Sequence, residues 1–194
     1  MKKLCDCFPS FSQEVDHKGE SMTHLHGNHL VYKDHPMIIW RGKLDSLTAL
    51  IIEAQELGAE KGNQEFIEDL QGVLDFVRSL LSAEYKNTPL GPFQLLGLSM
   101  EELHEHSHNP QKYYGFPHIL TDHRMGSLCI RLNRLRTAVR ETELAAAAAF
   151  ASGNGEATRE DIIEALNRLS SLFYILMYKY LPRDFTPDSA DITG

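Results

Sequence analysis

Between Leu128 and Glu143 the chain carries two helical stripes at once. Leu128, Leu132, Leu135 and Val139 recur at steps of four, three and four, the spacing of an apolar helix face. Arg136, Arg140 and Glu143 follow the same period beside them. A helix here has a core-facing seam with a cationic edge along it. Two planar, permanently charged guanidinium groups one turn apart suit a multidentate hold on a polyphosphate. The same residues also fit a solvated face of Arg–Glu pairs. A second segment, Ala165-Leu-Asn-Arg-Leu-Ser-Ser171, places Asn167 and two serines on another helix.

The period-3.6 pattern recurs along most of the chain and predicts an all-α, up-and-down bundle of about five helices, ferritin-like in type. Helices are expected over 42–57, with Leu44, Leu47, Ile51 and Ala54 on one face, and over 64–84, seamed by Phe66, Leu70, Val73, Leu74, Val77 and Leu81. Gly58 and Gly62 bracket the end of the first. Ser99-Met-Glu-Glu102 has capping-box spacing and opens a short helix. Residues 109–124 read as an aromatic-lined loop broken by Pro and Gly. The two-striped helix spans about 125–151, and Thr158-Arg-Glu-Asp161 caps the last one. That last helix has two seams: Ile162, Leu166, Leu169, Phe173 and Leu176, then Ile163, Ser170, Tyr174 and Met177. A helix covered on two sides, with the Ala145–Ala149 run nearby, calls for a close neighbour. No strand-like alternation stands out. The expected organisation is an irregular segment at 1–28, the bundle at 29–184 and a loose tail at 185–194.

The net charge of −8 argues against a nucleic-acid partner, which needs a basic surface. No apolar run reaches about 18 residues, so no membrane span is expected. Three cysteines make no disulfide framework, and the first residues lack a signal-peptide core, so a cytoplasmic location is expected. Cys5 and Cys7, followed by His17, His24, His26 and His29, offer soft and borderline ligands for Zn²⁺ or Fe²⁺, although Cys-x-Cys is not the usual pair spacing. His104 and His108 lie four apart, which suits either a shared metal or a polar surface helix.

With Arg136-x3-Arg140-x2-Glu143 on one helix and Leu166-Asn-Arg-Leu-Ser170 on the last, the sequence resembles the trimeric, helical-bundle ATP:cob(I)alamin adenosyltransferases. Lys33-Asp34, then Gly42 and Asp45, are similar to that family's Lys-Asp-Asp…Gly-x-x-Asp segment. Met22-Thr-His-Leu25, Thr88-Pro-Leu-Gly91, Gly97-Leu-Ser99 and Arg136-Thr-Ala-Val-Arg-Glu-Thr-Glu143 resemble its ethanolamine-utilisation branch most closely. The chain departs from the pattern in three places. His24–His29 stand where the family has a glycine-rich phosphate loop, Ser46 and Ser171 stand for Glu and Asp, and Cys5-x-Cys7 replaces a fuller cysteine motif.

The resemblance implies transfer of the 5′-deoxyadenosyl group of ATP to cob(I)alamin, giving adenosylcobalamin for ethanolamine utilisation. ATP-binding roles then fall to Lys33, Arg136, Arg140, Glu143 and Asn167, with Mg²⁺ on the triphosphate. Arg140, Asp45 and Arg136 form the catalytic set, Asp45 meeting Arg136 between subunits of a homotrimer. Phe116 or Leu120 would pack where the lower axial ligand of the corrinoid sits. The branch also implies an association with a bacterial microcompartment. A non-enzymatic cobalamin or nucleotide carrier on the same bundle is the alternative, and a helical metal-binding protein a further one.

Overall fold

Proline decides where the first long helix begins. In the computed structural model, which describes residues 19–153 and 155–186, helix α1 runs Pro36–Glu60, with Pro36 in its first turn and the His35 ring accepting from the Met37 amide at 3.2 Å. It therefore starts six residues before the expected Gly42. A proline excludes the residue before it from helix but suits the first helical position, where its missing N–H is not needed. Gly58 lies inside this helix rather than at its end. A Cβ there would meet the buried Phe66 ring at 2.9 Å and Ile67 at 3.0 Å, so the glycine lets α2 approach closely. Gly62, at φ +64°, makes the turn. Helix α2 (Gln64–Lys86) is capped by Asn63, which accepts from the Phe66 amide at 3.0 Å.

Helix α3 (Met100–His108) opens with the expected capping box at Ser99 and Glu102. The region read as loop alone contains a short helix α4 (Pro110–Tyr114) and a 3₁₀ turn at His123–Met125. Helix α5 spans Gly126–Ala149 and α6 spans Glu160–Lys179. The Thr158/Asp161 cap does not form. Thr158 Oγ1 donates back to Phe150 O at 3.2 Å, while Asp161 binds Arg159 at 2.8 Å and the Leu90 amide at 3.3 Å. Thr158 thus ties the connection to the end of α5, and Asp161 ties the start of α6 to the crossover.

Helix α1 lies antiparallel to α5, clasped by Lys43–Glu141 at 2.7 Å and Arg131–Glu53 at 2.9 Å. Helix α6 is antiparallel to α5 (Asn167–Glu143, Cys129–Met177) and to α2 (Lys179–Asp69, Arg159–Ala83). The order is thus up, down, down, up, and residues 87–125 cross the bundle lengthwise to connect α2 to α5. One long crossover is the ferritin-like arrangement. It lays α3 and α4 against α6. The core between the long helices includes Trp40, Leu47, Ile51, Phe66, Leu132, Leu135, Leu166 and Phe173, all fully buried. Of the alanine run only Ala146 is fully buried. No helix among the described residues is long and apolar enough to cross a membrane.

Part of the expected irregular segment is a hairpin, β1 (Met22–His26) antiparallel to β2 (His29–Tyr32). Its histidine-rich first strand has no apolar alternation to betray it. Arg41 on α1 holds it down, donating to Leu25 O at 2.8 Å while binding Glu84 on α2 through two nitrogens at 2.9–3.0 Å. His26 adds a 3.2 Å contact to Glu84, which is 7% exposed. Glu84→Gln is expected to cost about 2–3 kcal/mol in chemical denaturation. That is below the usual cost of breaking a buried pair because Arg41 keeps some contact with solvent.

Candidate functional site

Because α5 and α6 run antiparallel, three rungs face each other along one open side. Glu143 stands level with Asn167, Arg140 with Ser170, and Arg136 with Tyr174. The first rung is closed by Asn167 Nδ2 donating to Glu143 Oε1 at 3.0 Å. Together with Ser171 and Leu144, these residues form one wall of a cleft of about 640 Å³. The crossover supplies the other wall, with His104, Ser107 and His108 from α3 and His118 beyond α4. The size is that of a nucleotide-scale ligand site.

Charge in the cleft is unbalanced. Arg136 donates Nε–H to Asn133 Oδ1 at 3.1 Å, yet among the described residues neither Arg136 nor Arg140 has a carboxylate partner. Burial of Arg136 holds its guanidinium below the usual range, and Arg140 one turn away pushes the same way, with Tyr174 opposing. The side chain nevertheless stays charged at neutral pH. Two unneutralised guanidinium groups in a chain of net charge −8 make an anion site. Of the acidic residues of α3, Glu102 caps the helix and Glu105 binds Lys112 at 2.9 Å, and neither these nor Glu101 line the cleft.

A tyrosine relay fixes the far wall. Tyr174 Oη lies 3.1 Å from His118 Nδ1, 3.3 Å from the Ile119 amide and 2.7 Å from Tyr178 Oη, which in turn lies 3.0 Å from Pro117 O. A carbonyl only accepts, so the Tyr178 hydrogen goes to Pro117. Tyr174 then donates to Tyr178 and accepts from Ile119 and from His118 Nδ1–H. Only this assignment of hydrogens satisfies all four contacts. Burial, and then the Tyr174 hydroxyl, push the Tyr178 hydroxyl well above its usual range. Tyr114 stacks on Tyr178 at 5.3 Å, tying α4 to the same post.

The structure therefore gathers Arg136, Arg140 and Glu143, which spacing puts on one stripe, with Asn167, which the resemblance assigns to the same site. It does not bring Lys33 or Asp45 into this cleft: both are exposed and neither lines it. Asp45 sits on α1 between the buried Leu44 and Leu47, and Lys33 follows β2. Phe116 packs half-buried on the core, Leu120 is 68% exposed, and neither lines the cleft. Cys5 and Cys7 lie outside the described residues, among which no cluster of three His, Cys, Asp or Glu side chains is placed to hold a metal. Sequence reasoning took Tyr174 for an apolar seam residue and His118 for loop. The signal for Tyr174 was available, since Asn167, Ser170 and Tyr174 continue one stripe at steps of three and four. His118 needed the crossover path.

An antiparallel ladder of paired arginines, glutamate and asparagine on a ferritin-like bundle defines a class. Residues 15–180 match the family described as cobalamin adenosyltransferase, and the chain belongs to that family. It is 37% identical over 171 residues to the corrinoid adenosyltransferase EutT of Escherichia coli K12 and 36% identical to that of Salmonella typhimurium LT2. Each match covers 88% of this chain and 62% of the relative, so the chain spans under two thirds of the length of the curated relatives it matches. No solved structure matches it.

Tyr178→Phe removes the middle of the relay. It is expected to cost about 1–2 kcal/mol of stability and to speed hydrogen exchange at the Ile119 amide, read by NMR against the α5 amides as internal control.

Proposed function

We propose that this protein transfers the 5′-deoxyadenosyl group of ATP to cob(I)alamin, forming adenosylcobalamin for ethanolamine utilisation. The observation that carries the reading is the pair Arg136 and Arg140, neither bonded to a carboxylate among the described residues, facing a cleft in a member of this family. The similarity to corrinoid adenosyltransferases named EutT supports the choice of corrinoid and pathway. In the reaction the cobalt–carbon bond forms as the C5′–O bond breaks, and the triphosphate leaves with the bonding electron pair. Cobalt(I) is the nucleophile, so the cofactor-derived substrate supplies the difficult chemistry. The protein's task is to align C5′ with cobalt and to stabilise charge building on the departing phosphates.

Arg140 and Arg136 meet the phosphates, the first exposed and adaptable, the second half-buried and held by Asn133. Asn167 and Glu143 orient the nucleotide. With Oε1 tied to Asn167, Glu143 keeps Oε2 for a cation, and one carboxylate plus substrate phosphates suits Mg²⁺, which would neutralise charge on the triphosphate. Leu120 is the proposed corrinoid-facing residue, because it is the exposed apolar side chain on the loop after α4. The protein works in the cytoplasm, alongside a bacterial microcompartment. Arg140→Ala is expected to weaken ATP binding about 10- to 150-fold, the cost of one charge-assisted contact. Calorimetric titration with ATP measures this, and unchanged affinity and turnover would refute the role. The corrinoid spectrum separates enzyme from carrier: a carrier binds both ligands without ATP-dependent formation of the cobalt–carbon bond.

The proposed assembly is a homotrimer with its sites between subunits. Ile39 and Ile52 on α1 and Ile130 and Leu144 on α5 are 46–72% exposed, apolar area that a partner would cover. Lys33 and Asp45 are exposed and stand outside their own chain's cleft, which leaves Asp45 available to a neighbour's Arg136 and Lys33 to the phosphates in that neighbour's cleft. Asp45→Asn is expected to weaken ATP binding although Asp45 need not touch ATP. Light scattering that returns a monomer at micromolar concentration sinks the trimer, and unaltered ATP affinity in Asp45→Asn sinks the bridge.

A further inference from the structure

The relay behind His118 determines which hydrogen that ring can offer to the cleft. Its Nδ1–H is committed to Tyr174 Oη, whose remaining capacity is used by Ile119 and Tyr178. A neutral ring bonded this way carries no hydrogen on Nε2 and is there only an acceptor. An ionised polyphosphate is likewise only an acceptor. The two can bond only if Nε2 gains a proton. We infer that His118 is a third cationic contact to the polyphosphate, binding it through Nε2–H and taking up one proton as the ligand enters. This rests on the cleft being the triphosphate site proposed above.

Facing His118 are Arg136, Arg140 and Glu143 on α5, Tyr174 and Tyr178 on α6, and His104 and His108 on α3. A polyphosphate brings several negative charges into a cleft whose own carboxylate, Glu143, is engaged by Asn167, and so favours a proton on the ring that meets it. Since the bound state holds one more proton, affinity falls as pH rises. The fall approaches about tenfold per pH unit where the free ring is neutral.

Inorganic tripolyphosphate is the probe. It is titrated calorimetrically into the full chain at pH 8, in two phosphate-free buffers of different ionisation enthalpy. The wild type is expected to take up close to one proton. His118→Gln loses that uptake and binds about tenfold more weakly, the loss of one charge-assisted contact. Tyr174→Phe frees Nδ1, lets the neutral ring present Nε2–H, and lowers the uptake by more than half. The double variant His104→Gln/His108→Gln keeps it. Binding without uptake in the wild type, or uptake that persists in His118→Gln, overturns this inference and leaves the cleft assignment standing. Failure of the wild type to bind either tripolyphosphate or ATP overturns both. The wild-type count needs no variant to fold.

Discussion

The antiparallel packing of α5 on α6 is the contact on which the cleft depends. It places Leu132, Leu135 and Val139 against Leu166, Leu169 and Phe173 in a fully buried seam. One helical step round from that seam the same two helices present their polar rungs. A rotation of either helix that moved the arginines toward the core would strand the seam in water, at about 25 cal/mol per Å² of exposed apolar area. Hydrophobic burial therefore holds the guanidinium groups in register, and the binding residues need little stabilising contact of their own.

That division of labour explains how the cleft tolerates its unbalanced charge. Arg136 and Arg140 repel each other at one turn's separation, and Arg136 is partly desolvated besides. Such an arrangement is locally unfavourable and survives because the surrounding structure over-determines it. Pairing both guanidinium groups with carboxylates would relieve the repulsion and remove the anion site. Glu143 is the exception that fits the rule, since its partner is the neutral Asn167 amide rather than an arginine.

The crossover shows how a connection becomes a wall. Residues 87–125 must travel the length of the bundle, and they are pinned along the way: Leu90 by Asp161, Tyr114 by Tyr178, and Pro117 and Ile119 by the tyrosine relay. The start of α1 and the end of α2 are locked separately, through Arg41 and Glu84 to the hairpin. The cleft thus lies between a rigid helical wall and a loop fastened at defined points.

The long helices, the apolar seam of α5, and the stripe of Arg136, Arg140 and Glu143 beside it were determined by the sequence alone, because period 3.6 is a local property that each helix displays unaided. The shorter elements were not legible there. The hairpin of 22–32 owes its existence to Arg41 and Glu84, residues far along the chain, and α4 occupies a stretch whose Pro and Gly argue locally for loop. The start of α1 and the missing cap of α6 turned on single residues, Pro36 and Thr158, whose roles depend on what lies beside them. Above all, only the tertiary structure placed His118 opposite Arg136. The two residues sit on different elements, brought together by a crossover whose path is set by contacts with α6, and no spacing within the sequence encodes a distance between them.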